Sequence, residues 1–132
     1  MSSEKVVVRV KDVMTQDFAM VDGLVTIKDA LELYRQKQVS ALLINKRHED
    51  DEYGILLLSD IAKQVVAKDR SPERVNVYEV MSKPVVSVES RMDVRYCARL
   101  FDNFGLARAP VIDNGQVMGV VSYNDIVLKG LI

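Results

Sequence analysis

Gly119-Val120-Val121-Ser122-Tyr123-Asn124-Asp125-Ile126 carries an apolar strand into a helix, and Gly54-Ile55-Leu56-Leu57-Leu58-Ser59-Asp60-Ile61 does the same earlier in the chain. Outward from this pair the likeness continues. A shift of 67 residues lays Val8 on Val75, Val10 on Val77, Val13 on Val80 and Met14 on Met81, and also Val21 on Val88 and Leu33 on Leu100. The stripe Ile27, Ala30, Leu31, Tyr34 falls on Val94, Cys97, Ala98, Phe101, and both have the i, i+3, i+4, i+7 spacing of a one-sided helix. Farther along, small length changes move the register, and Ala41, Ile44, Gly54, Asp60 and Ile61 meet Ala109, Ile112, Gly119, Asp125 and Ile126. The chain is a tandem duplication, the first thing a sequence reading must establish.

Each half reads as strand, helix, strand, strand, helix, an α/β (α+β) pattern. In the first, a turn at Lys11–Met14 precedes a strand over Phe18–Val21. A helix follows from Ile27 to about Gln38, with Thr26 and Asp29 placed as a capping box. Strands are expected at Ala41–Ile44 and Tyr53–Leu58 around a charged hairpin, then a helix from Ser59 to Ala67. In the linker, Ser71-Pro72 suits the first turn of a short helix. The second half predicts a strand at Val85–Val88 and a helix over Met92–Phe104 with Asp93 as N-cap. Strands at Ala109–Ile112 and Val117–Val121 are joined by the hairpin dipeptide Asn114-Gly115, and a helix covers Tyr123–Lys129.

Composition narrows the function classes. At 132 residues the chain is one domain's worth, and 48% hydrophobic with 28% charged residues is an ordinary globular balance. Net charge is −1, so no basic field awaits nucleic acid or an anionic membrane. Apolar runs reach only about four residues, against the roughly 20 a membrane helix needs. The opening Met1-Ser2-Ser3-Glu4-Lys5 has no secretory apolar core, and a lone Cys97 forms no intrachain disulfide, so a reducing cytoplasm is expected. One cysteine and one histidine, His48, weaken hydrolytic, redox and metal chemistry.

The ordered set Val13-Met14-Thr15 before a strand, Ala107-Arg108-Ala109-Pro110-Val111-Ile112-Asp113, and the Gly119–Ile126 segment resembles a CBS (cystathionine β-synthase-type) domain. Asp12-Val13-Met14-Thr15, Val39-Ser40-Ala41-Leu42-Leu43-Ile44-Asn45 and the Gly54–Ile61 segment carry the same likeness in the first half. The resemblance runs from Val8 to Ile132. It implies a stand-alone tandem pair, or Bateman module, with repeats at 8–70 and 75–132, a tail over 1–7 and a linker over 71–74. The same resemblance implies repeats related by a pseudo-twofold axis, and regulatory binding of AMP, ADP, ATP, S-adenosylmethionine or NAD in the cleft between them. AMP and ATP head that expectation, with no other cofactor or metal. Pairing into a homodimer and an effector partner on a separate chain are also implied.

By that resemblance the hydroxyl of Ser122 lies near phosphate and the carboxylate of Asp125 takes ribose hydroxyls. A helix start, with free N–H groups and partial positive charge, suits the phosphate. One site then joins Ser122, Asn124 and Asp125 to Val39, Ser40 and Ala41, with Met20 or Val21 beneath the base. The other joins Ser59 and Asp60 to Ala107, Arg108 and Ala109, with Ser87 nearby. Small residues such as Ala41 and Ala109 let a flat ring approach strand backbone, and Arg108 matches phosphate oxygens bidentately. Leu57 departs from the pattern: it replaces the hydroxyl of Ser122, so the Asp60 site lacks one polar contact.

Each of these has a plainer reading. Ser-x-x-Asp before a helix is also a capping box, and the motif alone favours that; its duplicated context favours binding. Arg108 and Arg70 are also ordinary surface charges, His48 a polar hairpin residue, Cys97 and the methionines core. No Gly-x-Gly-x-x-Gly or Gly-Lys-Ser/Thr phosphate loop exists. The competing functions are a ligand-free dimerising scaffold and, ranked last, an enzyme, for which no motif pairs a nucleophile with a base.

Overall fold

The computed structural model describes residues 6–131. The first five residues of the tail expected over 1–7 lie outside them, as does Ile132. The elements in chain order are α1 (Val10–Val13), β1 (Phe18–Val21), α2 (Ile27–Lys37), β2 (Ala41–Ile44), β3 (Gly54–Leu56) and α3 (Leu58–Ile61). They continue with α4 (Val94–Phe104), β4 (Arg108–Asp113), β5 (Gln116–Ser122) and α5 (Tyr123–Gly130). Residues 17–85 form one compact unit, and the chain up to Gln16 joins Val86 onward in the other.

In the first of these units β1 runs parallel to β2, from Phe18 opposite Ala41 to Val21 opposite Ile44, and β3 pairs antiparallel with β2, Ile44 facing Gly54. The crossover is α2. Its stripe of Ile27, Ala30 and Tyr34 is buried against Val21, Leu42, Ile44 and Leu56, and Ile27 alone, with no exposed surface, contributes about 2 kcal/mol. The helix begins where expected, with the Thr26 hydroxyl accepting from the Asp29 N–H at 3.2 Å, and ends at Gln38 in the left-handed region (φ 52). β3 is shorter than expected because the Leu57 N–H turns to the Asp60 carboxylate and Leu58 already starts α3. α3 then widens into a π-helical stretch, Ala62–Val66, which no sequence signal announced. The unit closes on itself when Ser82 bridges Ile55, each N–H donating to the other's carbonyl.

The charged hairpin after β2 is pinned by Asp51, whose side chain is 8% exposed and receives Lys83 Nζ at 2.8 Å and both the backbone and side chain of Arg47. The Lys83 ammonium first, and the Arg47 N–H next, hold this carboxyl far below the ordinary value of 3.8. A carboxyl depressed in the folded state stabilises above its unfolded value and loses that contribution as pH falls. The midpoint of thermal unfolding should therefore drop as pH is lowered from about 4. Asp51→Asn should lower the midpoint at pH 7 and flatten the acid slope. A variant with the parent's slope would remove Asp51 as its source.

In the second unit β4 and β5 form an antiparallel hairpin closed by Asn114 and Gly115, both at positive φ (50 and 78), as a two-residue turn of this kind demands. A bulge falls at Val111/Ile112, so Val111 faces Gly119 while Ile112 faces Val117. The expected strand at Val85–Val88 is reduced to one parallel bridge, Val88 to Val111. The cause is Pro110. Val88 donates to the Pro110 carbonyl and accepts from Ile112, but the next bond toward Val86 needs an N–H that proline lacks. On the far side of β5, Thr15 and Val120 exchange two hydrogen bonds of 2.9 Å, and Val10 and Lys11 donate to the carbonyls of Met92 and Ser90. The stretch expected as a turn at Lys11–Met14 is thus the end of the short α1, held in this unit.

The core here is Val10, Val13, Val88, Val94, Cys97, Phe101, Ala109, Val111, Val121 and Ile126, with Tyr123 edge-on to Phe101 at 5.2 Å. Burial pushes the Cys97 thiol up to about 11, which suits a core side chain and not a nucleophile. Asp93 caps α4 as expected, accepting from the Arg95 N–H at 2.8 Å; the Arg95 guanidinium beside it holds its carboxyl at about 2.

Candidate ligand-binding site

The turn from β5 into α5 is built by two residues that fill each other's needs. Ser122, extended at φ −124, accepts from the Asp125 N–H at 3.2 Å, while its own N–H and hydroxyl both donate to Asp125 Oδ2 at 3.0 Å. The second carboxylate oxygen lies 3.2 Å from Lys129 Nζ, which also reaches the Val13 carbonyl. Capping is therefore real here. It leaves Asp125 fixed, half-buried and with lone pairs on Oδ1 to spare. Asn124 is exposed on the first turn of α5.

Strand pairing adds a cation. Arg108 lies directly opposite Ser122 across β4 and β5, so the two share a face of the sheet. Ala107 is exposed, its carbonyl accepting from Tyr123. Ala109 is buried, as are Ala41 and Val21, so these three expose almost no surface. Ser87 is exposed but lines a different cavity, with Arg9 and Arg91 and without Ala107, Arg108 or Ala109.

The other unit carries the same corner with one group missing. Leu57 donates its N–H to Asp60 Oδ2 at 2.9 Å, as Ser122 does to Asp125, but no side chain returns the bond. Ser59 is exposed beside it. Ser40 gives both N–H and hydroxyl to the Asp17 carbonyl, Val39 packs on the core, and Met20 is half-buried opposite Leu43. Among the described residues no three His, Cys, Asp or Glu side chains could hold a metal, and no helix is long and apolar enough to cross a membrane.

Two features escaped the sequence reading. Lys129 was signalled only by its i, i+4 spacing from Asp125. The strand register is off by one: Ile44 faces Gly54 and Val111 faces Gly119, so Val111, not Ile112, is the counterpart of Ile44. Arg108 consequently stands where the first half has Ala41.

The duplicated corner has a counterpart among known proteins, since the family model for the CBS domain matches residues 10–67 and 77–130. The chain belongs to the CBS domain family. The CBS pair superposes with a TM-score of 0.91 on the hexameric CBS-CP12 protein from bloom-forming cyanobacteria, at 38% identity over 95% of this chain and 69% of that one. Uncharacterized protein MK0525 of Methanopyrus kandleri is 33% identical over 88 residues, 66% of this chain; the match spans 44% of that protein's length. The CBS domain pair of MJ0100, solved with 5′-methylthioadenosine and S-adenosyl-L-methionine, shares the fold at a TM-score of 0.77 and 23% identity, over 92% of this chain and 98% of that one.

Proposed function

We propose that this CBS pair is a regulatory module, not an enzyme, which binds an adenosine-containing ligand and reports its occupancy to a separate partner protein in the cytoplasm, working as a homodimer. The observation that carries this reading is the strand-to-helix corner of Ser122 and Asp125 with Arg108 across the sheet, in a chain that repeats the corner at Leu57 and Asp60. The adenosine ligands held by the MJ0100 pair support the choice of ligand class. Capping and binding do not compete: a cap that fixes Asp125 before ligand arrives lowers the ordering cost of binding. The Ser122 hydroxyl rotates from Asp125 to a phosphate oxygen while the Ser122 N–H keeps the carboxylate in place.

The phosphate-bearing ligand, AMP or ATP, falls to the corner of Ser122, Asn124 and Asp125, with Arg108 across the sheet. The corner of Ser59 and Asp60, where Leu57 stands in the place of Ser122, lacks that hydroxyl and takes adenosine compounds more weakly. A thermal-shift screen with AMP, ADP, ATP, S-adenosylmethionine, 5′-methylthioadenosine and NAD, with GTP as control, tests the reading. At 100 times its dissociation constant a ligand adds about 2.7 kcal/mol. Flat curves throughout would leave the dimerising scaffold as the better account. Leu57→Ser supplies the missing donor, and calorimetry should then show the weaker AMP site tightening about tenfold. An unchanged isotherm would clear Leu57 of responsibility.

A further inference from the structure

At the start of α4 the second unit holds an open cavity of about 830 Å3 lined by Arg9, Ser87, Glu89, Arg91, Arg95 and Tyr96, among others, and by none of Arg108, Ser122 or Asp125. Three guanidinium groups face two carboxylates. Arg9 Nη1 donates to the Arg91 carbonyl at 2.7 Å, Arg91 Nε reaches Glu89 at 3.2 Å, and Arg95 holds Asp93 at 2.8 Å. Arg91 and Arg95 are exposed, and Arg95 and Arg99 flank the Tyr96 ring at 5.8 and 5.3 Å. Each arginine keeps further N–H donors beyond the contact it makes.

The cavity also runs along an open sheet edge. Val88 gives its N–H and carbonyl to β4, so its neighbours Ser87 and Glu89 point their amides the other way. Neither of those N–H groups has an acceptor among the described residues. The duplication provides an internal control. At the positions of Arg9, Ser87, Arg91, Arg95 and Tyr96 the other unit has Asn76, Met20, Leu24, Lys28 and Asp29. A set of arginines that the fold required would be present twice.

We propose that this arginine-rimmed edge docks an extended acidic segment of the partner protein, which adds as a strand along Ser87–Glu89 and gives its carboxylates to Arg9, Arg91 and Arg95. The proposal rests on the reading that occupancy is reported to a separate partner. Glu89 and Asp93 argue against nucleic acid, because a continuous phosphate backbone meets them with like charge, whereas a peptide alternates its side chains between two faces.

The probe is the peptide acetyl-Glu-Val-Glu-Val-Glu-amide, titrated into the 15N-labelled full chain, with the Lys-Val counterpart and oligothymidine as controls. Saturable amide shifts at Ser87 and Glu89 are expected with the acidic peptide alone. They should weaken about tenfold in Arg91→Glu, whose side chain is exposed and leaves the core untouched. They should vanish in Ser87→Pro, which removes an edge N–H, with far-UV circular dichroism checking that this variant folds. Asp125→Ala should leave the peptide response intact, so its failure and the failure of ligand sensing are read separately. No saturable shift at millimolar peptide, an equal response to the lysine peptide, or a response to oligothymidine overturns the proposal. So does concentration-dependent protection of Ser87 and Glu89 without peptide, which would assign the edge to a second copy.

Discussion

Gly119→Ala is expected to destabilise the protein by about 3 kcal/mol, while Gly54→Ala, its counterpart in the other repeat, costs about 1 kcal/mol. A Cβ at Gly119 would stand 2.7 Å from the Thr15 carbonyl oxygen and 3.2 Å from Met14 Sδ. That carbonyl accepts from the Val120 N–H while the Thr15 N–H donates back, both at 2.9 Å, so backbone cannot retreat without breaking the bridge. At Gly54 the atom 2.7 Å away is Met81 Sδ, the far end of a side chain with several rotatable bonds. The clash distance is the same and the atom's freedom differs. Urea unfolding of the two variants measures this directly. Equal costs would mean that the Thr15 bridge yields as readily as a thioether, and that α1 and Thr15 contribute little to the unit they join.

That bridge marks the limit of what the sequence disclosed. Elements governed by local signals were legible: the buried stripe of α2, the Asp93 cap and the Asn114-Gly115 turn follow from neighbouring residues alone. The placement of Val10–Thr15 beside β5 was not, because periodicity reports which face a segment buries and not which strand receives it. The shortening at Val85–Val88 needed the partner strand to be known before Pro110 could be seen to block it. The bulge at Val111/Ile112 moved one register by a single residue and hid the pairing of Arg108 with Ser122. In the candidate site the two corners were readable as motifs. The burial of Ala41, Ala109 and Val21 was not, since an apolar residue at a strand end reads the same whether it floors a pocket or fills the core.

Asp125→Ala should weaken the adenosine ligand at least about 100-fold, because two hydrogen bonds from ribose hydroxyls to an ionised acceptor disappear together. The same change removes the acceptor of the Ser122 N–H and the partner of Lys129, a loss of about 1 kcal/mol in stability. Ser122→Ala separates the two roles. It also breaks the cap, by losing the bond from the Asp125 N–H, and should cost a similar amount of stability. Yet its binding loss should be confined to phosphate-bearing ligands, about tenfold for AMP and nothing for adenosine, because only the donor to phosphate is gone. Asp125→Asn completes the set: it retains an oxygen for the Ser122 N–H and so keeps much of the stability, while losing the charge that strengthens the ribose bonds. A sensor gives this order of affinities at nearly matched stabilities. A scaffold whose serine and aspartate serve only the helix start gives parallel stability losses and no ligand difference among the three, and that pattern would set the sensor reading aside.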